Sequence, residues 1–113
     1  MATQHVILTT TLVVTEAVTQ QRLVGYDGKP CAEGALAFGV AEVDGAAGDA
    51  VSLNVMGILA AEAGAAVKVG DKLQSNADGC VIPLKATGSP VRIGVAVTEA
   101  AAAGNTLQVM WGA

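Results

Sequence analysis

The stretch Gly94–Gly112 reads "GVAVTEAAAAGNTLQVMWG", and a near-copy, "GVAEVDGAAGDAVSLNVMG", stands at Gly39–Gly57. Gly39-Val40-Ala41 matches Gly94-Val95-Ala96. Gly48-Asp49 matches Gly104-Asn105, with one extra residue in the second copy. Each stretch reads as a strand, an Ala-rich turn and a returning strand. In the returning strands Val51, Leu53 and Val55 alternate with Ser52 and Asn54, and Leu107, Val109 and Trp111 alternate with Thr106 and Gln108. A period of two places one apolar face inward. Neither hairpin buries that face alone, so the expectation is that the two pack against each other and close a core between them.

Turn signals continue outward from these two units. Asp27-Gly28, Asp44-Gly45 and Asp78-Gly79 supply the positive φ that tight turns need, and Gly70-Asp71, Gly88-Ser89-Pro90 and Gly104-Asn105 add further breaks. Between them lie the alternating runs Leu36/Phe38/Val40 and Val91/Ile93/Val95/Val97. Short strands at regular spacing indicate a mainly β chain, a small barrel or sandwich. Helix is limited to one or two short turns, at Ala60–Val67 and Glu99–Gly104. The division expected is an extended N-terminal arm over residues 1–20 and a barrel or sandwich domain over 21–113.

The arm differs in composition. "TQHVILTTTLVVTEAVTQQ" (Thr3–Gln21) is rich in Thr and Val and holds neither Gly nor Pro, which suits extended structure. Its apolar residues come in clumps, Val6-Ile7-Leu8 and Leu12-Val13-Val14. Clumps fit either a strand covered on both faces or an arm that lies on a neighbour.

Hydrophobic residues make up 52% of the 113-residue chain and charged ones only 14%, against about 25% in an ordinary soluble domain. A monomer of this mass exposes roughly 5,700 Å², or about one charge per 360 Å². So sparse a charge implies that part of the surface is covered by a partner. The formal net charge of −4, with no basic run, argues against nucleic acid and anionic membranes as partners. The apolar stretch Ala50–Ala61 is too short and too interrupted to span a bilayer. No charged n-region precedes the N-terminal apolar residues, so the expected place of synthesis is the cytoplasm.

Reactive chemistry is scarce. One His and two Cys, with no C-x-x-C spacing, fall short of a metal site. Cys31 and Cys80 read as small buried thiols. Nothing in the spacing brings His5 to either of them. The acids Asp27, Asp44, Asp49, Asp71 and Asp78 sit beside Gly, where they serve turns. Phosphate-loop patterns are absent. "KVGDKLQSNADGCVIPL" (Lys68–Leu84) shares its phrasing with biotin- and lipoyl-carrier hairpins, but its tip, Asn76–Gly79, lacks the Lys that those carriers modify. The chain is therefore expected to use no cofactor or metal and to be no enzyme.

Taken together, "GVAEVDGAAGDAVSLNVMGIL" (39–59), "AAVKVGDKLQSNADGCVIPL" (65–84) and "IGVAVTEAAAAGNTLQVMW" (93–111) resemble the capsid decoration, or cement, proteins of tailed bacteriophages. The likeness covers Leu23–Gly112. It implies a β-rich domain that assembles as a homotrimer on the outer surface of the phage head, bridges neighbouring major capsid proteins and stabilises the expanded shell. In such proteins the N-terminal segment often reaches the shell or an adjacent subunit. That role maps here onto Thr3–Thr15, with Thr3, His5, Val6, Ile7, Leu8, Thr9, Thr11, Leu12, Val13 and Val14 as the contact residues. The alternatives are another self-assembling β module of a tail or fibre, and a small carrier or cysteine-dependent enzyme domain.

Overall fold

The computed structural model describes residues 4–113, and no described residue is helical. Eight strands form one sheet: β1 (His5–Val13), β2 (Leu23–Gly25), β3 (Ala37–Ala41), β4 (Ala50–Glu62), β5 (Lys72–Ser75), β6 (Val81–Pro83), β7 (Gly94–Ala96) and β8 (Thr106–Trp111). Their order is β2-β3-β4-β8-β7-β5-β6, and β1 pairs with β4 beside that path. All seven strand pairings are antiparallel. The sheet curls into a nearly closed barrel, and the Leu23 amide at its β2 end donates 2.7 Å to the Gly79 carbonyl between β5 and β6.

The two quoted stretches are the hairpins β3–β4 and β7–β8, and the repeat runs well beyond them. The Gln21 amide donates to the Ala41 carbonyl at 2.8 Å, and the Gly70 amide to that of Ala96 at 2.8 Å. Ala41 donates back to Arg22 as Ala96 does to Asp71. The Val14 amide donates to the Asp49 carbonyl and the Val14 carbonyl accepts from the Gly48 amide; Ala63 stands in the same relation to Asn105 and Gly104. The left-handed backbone of Gln21 (φ 66°) recurs at Gly70 (φ 87°).

The registers match as well. Thr9↔Asn54 through Val13↔Ala50 repeats as Ile58↔Met110 through Glu62↔Thr106. Leu23↔Val40 repeats as Lys72↔Val95, and Val40↔Asn54 as Val95↔Met110. Strand β4 therefore counts twice: its first half closes repeat 1 and its second half opens repeat 2. This is why a single 13-residue strand bonds three others.

The core divides accordingly. Leu23 and Val24 are adjacent and both buried, as are Val40 and Ala41, and each pair splits between two clusters on opposite faces of the sheet. One cluster gathers Val14, Val18, Val24, Ala41, Val51 and Leu53 from repeat 1. The larger one joins Leu59, Ala61, Leu73, Ala96, Leu107 and Val109 of repeat 2 to Leu23, Ala37 and Val40 of repeat 1. Leu53 and Leu59 lie six residues apart and would share a face in a regular strand, yet they serve opposite clusters. The reversal falls at Gly57, which has φ +111° and faces a break in the β1 register between Val6 and Thr9. A bulge of this kind inverts every side chain beyond it.

Two expectations change. The segments Ala60–Val67 and Glu99–Gly104 hold no helical turn. The first is the end of β4 and a loop; the second is a bend and turn. A one-turn helix fixes several residues for a single bond, whereas the amides of Ala63, Gly64 and Val67 each find a cross-strand carbonyl. The Leu36/Phe38/Val40 run also has no single inward face. Leu36 is exposed and Phe38 half-buried, while Ala37, Val40 and Ala41 are buried, because repeat 1 is covered on both sides.

Gly39 and Gly94 sit where the paired strand leaves no room for a side chain. A Cβ on Gly39 would stand 2.7 Å from the Asn54 carbonyl oxygen, and one on Gly94 2.8 Å from a Val109 methyl. Gly94→Val or Gly39→Val is expected to cost about 2–4 kcal/mol, and Gly57→Val to do the same at the bulge. The check is the urea midpoint, against Gly88→Ala, where a Cβ meets open space and only the backbone conformation, about 1–2 kcal/mol, opposes it.

Candidate functional site

Strand β1 carries more exposed large apolar residues than any other described strand. Its residues are exposed on both faces apart from half-buried Thr10 and Leu12. Ile7 is 74% exposed and Val13 60%, with Leu8 and Val6 also in the open. Of the two covers considered for these clumps, a strand sandwiched on both sides within the chain is not what forms. Among the described residues β1 pairs with β4 alone, so its other edge presents unpaired amides and carbonyls. Between Gln4 and Thr15 the only titratable side chain is His5. A long, uncharged, apolar edge without Pro is a template for another chain.

The strand is held at both ends. The Thr9 hydroxyl donates 2.9 Å to Asn54 Oδ1, and the Ala60 amide donates 3.0 Å to Gln4 Oε1. Val14, with no exposed surface, is locked into the repeat-1 cluster, and the Thr15 amide donates to the Gly28 carbonyl. Of the expected contact residues, His5, Val6, Ile7, Leu8, Thr9, Thr11 and Val13 lie exposed on β1. Leu12 is half-buried. Val14 faces the core, where it anchors the strand. Thr3 lies outside the described residues.

A second apolar region crosses the outside of the barrel. The cross-strand row Ile58–Met110–Val95–Lys72 runs through β4, β8, β7 and β5. Met110 is exposed, and Ile58 and Val95 are half-buried. The alternating pattern of Val91–Val97 led the sequence reading to place Val95 inward; here Ile93 and Ala96 are buried and Val95 faces out. The signal for the outward face was present in β8, where Thr106, Gln108 and Met110 alternate with buried Leu107 and Val109. A third feature is a shallow cavity of about 410 Å³ between Tyr26, Lys29, Cys31, Ala35 and Leu36. Tyr26 stacks on Phe38 beside it, with ring centroids 4.7 Å apart.

The polar groups are structural. Carboxylates of Asp27, Asp49 and Asp71 accept from the amides of Lys29, Ala46 and Lys68 and tie their turns, and that of Asp44 accepts from the Gln20 amide and links two loops. At Asp78-Gly79 that task falls to Asn76, whose Oδ1 accepts from the Asp78 and Cys80 amides. Arg22 reaches Glu62 through two bonds of 3.2 and 3.3 Å, joining the start of β2 to the end of β4, and this pairing raises the guanidinium above its ordinary value. Cys80 Sγ donates to the same carboxylate at 3.7 Å. Both cysteines are free and buried. Burial, foremost, pushes both thiols up, reinforced at Cys80 by the negative charge of Glu62. A thiol raised in this way is a poor nucleophile.

Exposed strand, apolar belt and turn-bound acids form surfaces, with no cluster of three or more His, Cys, Asp or Glu able to hold a metal among the described residues. A family model described as "Phage cement protein" matches residues 1–111. The chain belongs to the phage cement protein family. The match takes in β1, which the sequence resemblance, beginning at Leu23, did not reach. Among solved structures, the chain is similar to the N base of the head fibre protein gp8.5 of bacteriophage phi29. The identity is 25%, the TM-score 0.76, and the likeness covers 93% of each chain. No curated protein sequence matches significantly. As a cement protein, the chain is a structural component of a phage head, and its fold and family are those of structural proteins.

The raised thiols give a pH test. Their neutral forms are favoured by the folded state, so this contribution to stability is complete below the ordinary thiol value of 9.0 and is lost as pH rises through the higher folded values. The urea midpoint of the wild-type protein is expected to fall above pH 9. A Cys31→Ala/Cys80→Ala protein should show a shallower fall over the same range. A thiol reagent at pH 8 should label the native protein far more slowly than the unfolded one.

Proposed function

We propose that this cement protein decorates the outer surface of the phage head as a homotrimer and stabilises the expanded shell by bridging neighbouring major capsid proteins through β1. The observation that carries this reading is the state of β1: apolar on both faces, exposed on both faces and free along one edge. Main-chain bonding to a sheet edge of the capsid protein would satisfy its free amides and carbonyls, and side chains such as Ile7 and Leu8 would enter pockets on alternate faces. Full burial of such a side chain contributes about 1.5–3 kcal/mol. Many modest contacts on one lattice then act together. The anchor at Val14 lets β1 bear load without disturbing the core.

The protein's role on this reading is mechanical, with no catalytic step, cofactor, nucleic acid or membrane. Synthesis in the host cytoplasm precedes attachment to the head. The residues before Thr15 act as the contact arm, and the barrel beyond Gln20 as the body that carries it.

The test uses Ile7→Asp/Leu8→Asp, two exposed positions whose change leaves both core clusters intact. Far-UV circular dichroism and the melting temperature should match wild type, while co-sedimentation with expanded heads should weaken by about 100-fold, the scale of one lost hot spot. Undiminished head binding by this variant overturns the role given to β1. Binding of the wild-type protein to isolated tails in preference to heads would favour a tail module.

A further inference from the structure

The two repeats meet within the chain through an asymmetric contact, and each half of that contact recurs, unsatisfied, on the outside of the molecule. The first half is the row Leu23–Val40–Asn54 of repeat 1. These residues are 0%, 1% and 2% exposed, the first two within the cluster shared with repeat 2. The equivalent row in repeat 2 is Lys72–Val95–Met110. There Lys72 is exposed, Val95 half-buried and Met110 42% exposed.

The second half lies on repeat 2. Leu59, Ala61 and Ile93 are buried in that same shared cluster. Their counterparts in repeat 1, by the matched registers and hydrogen bonds, are Thr10, Leu12 and Phe38. All three are half-buried, and Leu12 and Phe38 border the repeat-1 cluster from outside. One face thus lacks what repeat 2 supplies, and the other lacks what repeat 1 supplies.

We propose that a second copy of this chain fills both vacancies. The Lys72–Val95–Met110 face of one copy seats on the Thr10–Leu12–Phe38 face of the next. The contact between chains then repeats the one that β4 carries within a chain, with the next copy's β1 standing to β8 as the second half of β4 stands to its first half. Two different faces meet, so the contact is head-to-tail, and such contacts close into rings or grow into filaments. Three copies give a ring of six repeats. The inference rests on the self-association in the reading above and specifies its interface, which takes Thr10 and Leu12 of β1 and leaves Ile7 and Leu8 to the head.

Val95→Asp/Met110→Asp places charge on the outer face without touching either cluster. Native mass spectrometry should give a closed oligomer for wild type and a monomer for this variant, with unchanged far-UV circular dichroism and a dissociation constant raised about 100-fold or more. An oligomer that survives these changes overturns the proposal.

Two further variants, Met110→Cys and Thr10→Cys, test the direction of the contact. Each is treated with a short bis-maleimide alone, and both again after refolding together; Cys31 and Cys80 are shielded by burial. A covalent dimer appearing only in the mixed sample supports head-to-tail packing. A dimer from Met110→Cys alone shows a two-fold contact and overturns it, as does the absence of any dimer both in solution and on decorated heads. If the mixed sample cross-links while the wild-type protein fails to sediment with heads, the interface stands and the capsid reading falls.

Discussion

Every other feature depends on the reversal of side-chain alternation within β4. A strand running regularly from Ala50 to Glu62 would send Leu53 and Leu59 to one face and leave one of the two clusters without its floor. The irregularity at Gly57, with its left-handed backbone, turns the strand over midway. One half then packs beneath repeat 1 and the other within repeat 2. A side chain there would collide with the β1 backbone at His5 and Ile7, so the same glycine permits both the reversal and the close approach of the N-terminal strand.

This arrangement explains how a chain with three aromatic residues forms a stable body. Its burial comes from Val, Leu, Ile and Ala divided between two modest clusters. Backbone bonding is dense, and turn carboxylates satisfy amides that would otherwise be unpaired. The three ion pairs among the described residues, Arg22–Glu62, Lys29–Glu16 and Lys85–Glu33, add little by comparison. The accessible surface of 5600 Å² is ordinary for the mass; its composition sets it apart. Charge is sparse, and of the large apolar side chains left exposed Val6, Ile7, Leu8 and Val13 fall on β1 and Met110 on the outer row, while others, among them Tyr26, Leu36 and Val69, lie in the loops.

A structural protein of a phage head acts through its surfaces, and these are built by the same rules as its interior. Strand β1 is a repeat-opening strand with no repeat packed over its outer side. The outer row of repeat 2 stands where the buried row Leu23–Val40–Asn54 stands in repeat 1. Both surfaces carry β-branched or aliphatic side chains of the kind found at buried positions. The thiols and acids, by contrast, are absorbed into structure: burial holds Cys31 and Cys80 protonated, Asp27, Asp49 and Asp71 close turns, and Asp44 links two loops.

Local pattern was enough to reveal much of this from sequence. The Gly-Val-Ala strands, their returning partners and the Asp-Gly turns each depend on neighbours a few positions away, and each is legible from alternation and turn chemistry. The resemblance to cement proteins rests on the same short phrases. The full extent of the repeat was not legible. Its matches beyond the hairpins, Val14 with Ala63 or Gln21 with Gly70, share hydrogen bonds and not side chains, because many residues satisfy one backbone geometry. Nor was the outward aim of Val95, or the strand at Ala60–Glu62 where Ala-rich sequence suggested a helical turn. Which face of a short apolar strand is buried depends on what packs against it, and here that was decided by β4 changing faces at one glycine between two distant halves of the chain.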